Sequence, residues 1–263
     1  MTEQATKAAA FRELHTGDPF VIPNPWDGGS ARLLEALGFR ALATTSSGFA
    51  FTLGRLDGGA TLDEVAVHIA ELDHATALPV SADLENGYGA DPESAARAVQ
   101  RAAEAGAVGG SIEDYDPAGH LYELSHAIAR VEAAVEAARG LEFPFMLTAR
   151  AENHLRGNPD LDDTIRRLRA FEEAGAEVLY APGLATVDEI HAICSSVSKP
   201  VNVLARRDLT FAEIAEAGAQ RISLGGSLTW TAVGAAASAA RDILDRGDFS
   251  SLGPSPPLRD WFG

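Results

Sequence analysis

Acidic side chains in this sequence gather where short apolar runs end. Asp83 and Glu85 stand two apart in Asp83-Leu84-Glu85-Asn86-Gly87-Tyr88-Gly89, and the chain breaks into glycines directly after them. Glu113 and Asp114 close a second apolar run, and Asp57 lies in Gly54-Arg55-Leu56-Asp57-Gly58-Gly59. A lone surface carboxylate is ordinarily just solvated. Acidic groups at two neighbouring run ends, with glycine freedom around them, suit a hard, hydrated divalent cation. Asp83, Glu85, Glu113 and Asp57 are therefore candidate ligands of Mg²⁺ or Mn²⁺. Arg150, in Thr148-Ala149-Arg150-Ala151-Glu152, follows another such run. Its planar guanidinium suits bidentate recognition of a substrate carboxylate or phosphonate, or an ion pair with one of the same carboxylates. Thr44-Thr45-Ser46-Ser47-Gly48 offers N–H groups and hydroxyls to a carboxylate or oxyanion, or is a plain turn. Asn202 adds a neutral donor and acceptor after a later run.

The seven histidines show no ligand spacing. His15, His68, His74 and His191 fall in helical stretches and read as surface or groove residues. His120, His126 and His154 fall near run ends and are acid/base candidates. Of these His120 stands out, because an unperturbed imidazole titrates near ~6.5 and can donate or accept a proton near neutrality. No Gly-x-Ser-x-Gly elbow, P-loop or reactive cysteine environment is present, and Cys194 sits in a predicted helix.

These residues need a frame that brings distant run ends together. Eight β-rich runs supply it: Phe20–Ile22, Arg40–Thr44, Pro79–Asp83, Val108–Ile112, Phe145–Thr148, Val178–Ala181, Val201–Leu204 and Arg221–Leu224. Several are almost continuously apolar, as strands covered on both faces are. Helical stretches such as Ser94–Ala105, Asp162–Ala174 and Leu209–Glu216 alternate with them, with apolar positions every three or four residues. One phrase recurs before strands: Glu35-Ala36-Leu37-Gly38, Glu104-Ala105-Gly106, Glu173-Ala174-Gly175 and Glu216-Ala217-Gly218. Each glycine suits the left-handed residue that ends a helix. Eight strands, each followed by helix, predict a (β/α)8 TIM barrel, one α/β domain with the barrel over about 11–245 and a C-terminal extension over 246–263. A dinucleotide-binding sheet would need a Gly-x-Gly-x-x-Gly after its first strand, and Pro23-Asn24-Pro25-Trp26 is none. In a barrel, chemistry sits at the C-terminal strand ends, where the acidic groups fall.

A chain of 263 residues buries a sizeable core without staples, and a single cysteine rules out an internal disulfide or a cysteine-rich zinc site. The net charge of −17 argues against a nucleic-acid partner. It leaves room for an anionic metabolite, because a local cation overrides the global field. No apolar run is long enough to span a bilayer, and the first residues lack signal-peptide order, so no membrane partner and a cytoplasmic location are expected. The proline-bearing tail from Gly247 reads as a loop or extended arm.

Taken in order, Pro23-Asn24-Pro25-Trp26-Asp27, Thr45-Ser46-Ser47-Gly48, Asp57, Asp83 through Gly89, Ile112-Glu113-Asp114 and Ala149-Arg150 resemble the landmarks of the isocitrate lyase/phosphoenolpyruvate mutase superfamily. The likeness covers about Phe11 to Leu228. It implies an α/β barrel whose last helix is exchanged between subunits of a homo-oligomer, a dimer or tetramer. It implies Mg²⁺ held by Asp83, with Glu85, Glu113 and Asp57 reached mostly through water. Substrate contacts would come from Ser47, Gly48 and Arg150, around a small 2-oxo or 2-hydroxy acid or its enolate, with Trp26, Ser46 and Asn202 as further candidate substrate-binding residues. The sequence departs from the family pattern in the loop after Ile112-Glu113-Asp114. Lyases there carry a cysteine before Gly-His, and here Ala118 precedes Gly119-His120. Pro182 stands roughly where lyases carry a glutamate, and the asparagine of the mutase gating loop is missing. The expectation is an Mg²⁺-dependent carbon–carbon lyase or decarboxylase working through a pyruvate-type enolate. The alternatives are carbon–phosphorus chemistry of the mutase or phosphonopyruvate hydrolase type, and a non-catalytic barrel that binds a 2-oxo acid.

Overall fold

All eight expected strands are present in the computed structural model, which describes residues 2–262. They are β1 (Phe20–Ile22), β2 (Leu42–Ala43), β3 (Val80–Asp83), β4 (Gly109–Glu113), β7 (Met146–Arg150), β8 (Val178–Tyr180), β9 (Val201–Leu204) and β10 (Arg221–Ser223). Between β4 and β7 lies a two-stranded hairpin, β5 (Tyr115–Asp116) with β6 (His120–Leu121), which the sequence pattern does not anticipate. The eight strands pair in parallel in the order β1-β10-β9-β8-β7-β4-β3-β2. The Ala43 N–H donates to the Pro23 carbonyl at 3.0 Å and draws the two edges together. The result is a nearly closed (β/α)8 barrel.

Helices follow the strands: α2 (Gly28–Ala36), α3 (Ser46–Thr52) and α4 (Leu62–Ala75), α5 (Pro92–Glu104), α6 (Leu124–Arg139), α7 (Leu161–Glu173), α8 (Val187–Ser196), α9 (Phe211–Glu216) and α10 (Ser227–Arg246). They form where apolar residues recur at helical spacing. On α5, Ala95, Ala98, Val99 and Ala102 make one buried face against Ala127, Val131 and Ala134 of α6. Small side chains let these helices pack closely. Gly106 ends α5 with φ +107°, and Gly175 ends α7 with φ +103°, the left-handed geometry expected of both.

An additional helix, α1 (Glu3–Leu14), closes the floor of the barrel. Its Ala8 and Phe11 pack with Phe20, Ile22, Val108, Met146 and Val178. Gly109 accommodates this plug, since a Cβ there would lie 2.8 Å from the Phe11 ring. His15, which caps α1, is buried edge-on to Phe11 and Phe20. The surface position expected for His15 is corrected: α1 lies under the barrel, so its last turn points inward. His68 is likewise buried, stacked on Phe49 at 4.1 Å.

The end of the chain behaves differently. Helix α10 buries only Thr229, while Trp230 and Leu244 are exposed. The tail is more than a loop, because it carries α11 (Leu258–Phe262), which packs back on α2 with Arg32 over the Phe262 ring. Among the described residues no helix is long and apolar enough to cross a membrane.

Candidate active site

The C-terminal rim of the barrel gathers the charged residues. Strand β3 ends in Asp83, β4 in Glu113 and β7 in Arg150, and register places Glu113 directly beside Arg150. Arg150 donates from Nη1 to Asp83 Oδ1 at 3.0 Å and from Nε to Glu152 Oε1 at 3.0 Å, and its Nη2 lies 3.1 Å from Glu113 Oε2. Arg156 adds a second cation, 3.3 Å from Glu113 and 3.1 Å from Glu152, over the Tyr115 ring at 3.9 Å. Burial works against the charge of Arg150, but Glu152, Glu113 and Asp83 outweigh it and push its pKa further up. Glu113 is driven well above the usual carboxylate range by burial, despite Arg150 and with Glu152 adding to the effect. Glu85 rises to about 7 through burial and the neighbouring charges of Asp83 and Asp57.

The loop after β3 is held in an unusual backbone. Glu85 and Tyr88 both have positive φ, 46° and 59°, where side chains other than glycine are rare. The Tyr88 hydroxyl donates to Glu85 Oε1 at 3.2 Å. Arg130, fully buried on α6, fixes the loop from behind: it donates to the carbonyls of Asn86, Gly89, Ala90 and Asp91 and lies over the Tyr122 ring.

Two cavities meet at this rim. The inner one, about 180 Å³, runs into the barrel past Ser46, Ser47, Asp83, Arg150, Tyr180 and Asn202. The outer one, about 1010 Å³, lies between the β3 loop and the hairpin, with Asp57, Glu85, Glu113, Tyr115 and Arg156 on its walls. Arg150 lines both. A separate cleft of about 520 Å³ around Arg139 and Phe143 lies at the opposite end of the strands, away from these groups.

Asp83, Glu85, Glu113, Asp57, Arg150, Ser46, Ser47 and Asn202 thus all border one connected region. Three candidates do not. Trp26 lies outside the lining of both cavities and packs its Cβ beside Gly48; the neighbouring Asn24 reaches the inner cavity instead, donating to Thr44 O and accepting from Leu224 N–H. Gly48 is buried and its N–H is spent on Thr45 Oγ1, the cap of α3. His120 is exposed on the hairpin, outside both linings. The acidic pair also divides. Glu113 faces the barrel, while Asp114 turns away to accept from Glu152 N–H and from Arg167. Sequence reasoning also passed over Arg221 and Ser223. Their signal was an arginine inside an otherwise apolar run.

The donors on the rim are carboxylate oxygens, which fit Mg²⁺ or Mn²⁺. Among the described residues no three acidic, histidine or cysteine side chains converge as ligands.

A parallel barrel carrying its polar cluster at the C-terminal strand ends has the layout of a barrel enzyme. The chain belongs to the phosphoenolpyruvate phosphomutase family, whose model matches residues 11–244, within the isocitrate lyase/phosphoenolpyruvate mutase superfamily. It is 49% identical to a Burkholderia cenocepacia J2315 protein provisionally named a lyase/mutase, with a TM-score of 0.96 over 99% of this chain and 98% of that one. It is 32% identical to an oxaloacetate decarboxylase of Bradyrhizobium sp. (strain ORS 278) over 73% of this chain and 68% of that one. It is 30% identical to the 2-methylisocitrate lyase of Escherichia coli (strain K12) over 73% and 67%. The chain is an enzyme of this superfamily, which holds both lyases and mutases.

Proposed function

We propose that the protein is an Mg²⁺-dependent decarboxylase or carbon–carbon lyase of a small 2-oxo acid, acting through a pyruvate-type enolate. The observation that carries this reading is the rim itself: Asp83, Glu85 and Glu113 beside a narrow cavity into which Arg150 opens. Asp83 would hold the metal, with Glu85, Glu113 and Asp57 contributing through water. When bound, Mg²⁺ supplies Lewis-acid polarisation of the 2-oxo group.

The chain's own residues then do the following. Glu152 anchors Arg150 through Nε, while its Nη groups pair with Asp83 and Glu113 on the cavity wall, where a substrate carboxylate would compete for them. The Ser46 N–H donates to Asp83 Oδ2 at 3.1 Å and steadies that ligand, while Ser47 presents its hydroxyl to the same space. In decarboxylation the bond from C3 to the departing carboxyl carbon breaks, its electron pair enters the enolate, CO₂ leaves, and C3 takes up one proton. No group has to accept a hydroxyl proton, as a retro-aldol cleavage requires. This favours decarboxylation, because Pro182, roughly where the resemblance puts a lyase glutamate, has no group to accept that proton; with Ala118 in the place of the lyase thiol and His120 exposed, C3 would take its proton from solvent.

A second reading, carbon–phosphorus chemistry, is favoured by the match to the phosphomutase model. Incubation with oxaloacetate and with phosphonopyruvate, each with Mg²⁺, separates them. Pyruvate and CO₂ from the first support decarboxylation, and phosphate or a rearranged phosphoester from the second supports the alternative. Turnover of neither, nor of any 2-hydroxy diacid, overturns both. The same reading includes a homo-oligomer: α10, almost wholly exposed, would be covered by a second copy of the chain.

A further inference from the structure

Below the rim the barrel interior has the opposite electrostatic character. Arg221 on β10 is buried, and among the described residues it forms no ion pair with any carboxylate. Its partners are all neutral: Nε donates to Asn202 Oδ1 at 2.8 Å, Nη2 to Thr148 Oγ1 at 2.9 Å, and Nη1 lies 3.3 Å from His15 Nε2. His15 is a neutral acceptor here, because its Nδ1 faces the Phe11 carbonyl at 2.8 Å and must carry the proton. Burial pulls Arg221 down to about 10, which still leaves it charged at neutral pH.

These bonds fix the polarity of everything above them. Asn202 spends its carbonyl oxygen on Arg221, so its amide nitrogen turns the other way and donates to Ser223 Oγ at 2.9 Å. Ser223 accepts that bond and has its own proton to donate, here towards the Tyr180 hydroxyl, and to an anion that displaces it. Asn202 and Ser223 both line the inner cavity, where their N–H and O–H groups stand on its wall. A buried cation surrounded only by neutral groups is poorly compensated. An anion entering the inner cavity would supply the missing charge.

We propose that Arg221 is a positioning residue that makes the inner cavity a receptor for a carboxylate of the 2-oxo acid, with Asn202 and Ser223 as the donors in contact. The inference rests on the function proposed above and adds which part of the site reads the substrate's charge. The cavity, about 180 Å³, is small for a ligand pocket and fits one compact acid.

Oxalate and oxamate test it, because they share a shape and differ by one carboxylate replaced with a carboxamide. Their affinities are measured by calorimetry at fixed excess Mg²⁺ for wild type, Arg221→Gln, Arg221→Lys and Asn202→Asp. Arg221→Gln should weaken oxalate by about tenfold or more, through loss of the buried charge behind the contacting donors, and oxamate much less, so that the ratio of the two collapses. Arg221→Lys should restore part of that ratio. Asn202→Asp keeps Arg221 bonded and the barrel filled, yet pairs the cation internally, and it should weaken oxalate as much as Arg221→Gln does. In turnover, KM should rise more than kcat falls. Equal weakening of both probes would show that Arg221 only holds the barrel together, and an unchanged ratio would overturn the inference while leaving the proposed function standing. If wild type binds neither probe, the proposed function falls, and this inference with it.

Discussion

The rim and the interior of this barrel are a few residues apart along the same strands, and they solve burial of charge in opposite ways. At the rim, Asp83, Glu113 and Glu152 surround Arg150 and Arg156, with Glu85 and Asp57 close by, so carboxylates outnumber cations. Inside the barrel, Arg221 on β10 is compensated by an amide, a hydroxyl and an imidazole, none of them charged. On the proposed function, the rim would take a cation and the interior an anion. A metal chelate of a small acid has both, and the two regions border one continuous space.

The comparison breaks most visibly if the rim loses its central carboxylate. Asp83→Ala should lower kcat by about a hundredfold or more, the scale of losing one group that stabilises an oxyanion, and excess Mg²⁺ should not restore it. Glu113→Gln should weaken Mg²⁺ less. Identical Mg²⁺ affinities for wild type and Asp83→Ala in calorimetry would remove Asp83 from the metal site. Next in size is Arg150→Lys, which keeps the charge but loses the fork shared among Asp83, Glu113 and Glu152. It should reduce kcat/KM by about one to two powers of ten, corresponding to roughly 1.5–3 kcal/mol. An unchanged kcat/KM would leave Arg150 a purely structural ion pair.

The smallest effect probes the interior through pH. Burial, aided by the nearby Arg221, lowers the pKa of His15 from its ordinary 6.5 to about 3. Between those values the unfolded chain binds a proton that the folded one refuses, so stability is full above pH 6.5 and falls as the pH drops towards 3. By pH 5 the loss should be about 2 kcal/mol. His15→Gln can still accept from Arg221 and has nothing to titrate. Urea unfolding should therefore show wild type losing stability relative to the variant below pH 6.5. Parallel curves from pH 7 to 4 would mean that His15 takes up its proton without penalty.

Much of the frame could be read directly from residue order, and the reasons are local. Runs such as Val178–Ala181 are apolar because both faces are covered, and Gly38, Gly106, Gly175 and Gly218 mark helix ends by a conformation few other residues adopt. Acidic residues at strand ends follow from the same frame. What escaped was either short or remote. The β5–β6 hairpin pairs only two residues per strand and has no apolar alternation to reveal it. The Arg221–His15 contact joins positions 206 apart, and nothing near His15 in the chain distinguishes it from a surface histidine. The resemblance points to Trp26, yet Asn24, two residues earlier, bridges the ends of β1, β2 and β10. Gly48 looked like an open donor until its N–H was found closing a helix cap.

The positive φ angles of Glu85 and Tyr88 bear on how this protein would respond to engineering. Left-handed geometry costs a side-chain-bearing residue about 1–2 kcal/mol, and glycine escapes most of it. A campaign that selects variants for heat resistance alone would thus be drawn to Glu85→Gly and Tyr88→Gly. Each would relax the backbone while deleting a carboxylate, or the hydroxyl that steadies it, at the mouth of the outer cavity. In this barrel the shortest route to a tougher protein runs through the loop it can least spare, so thermostabilisation is best directed at the far end of the strands.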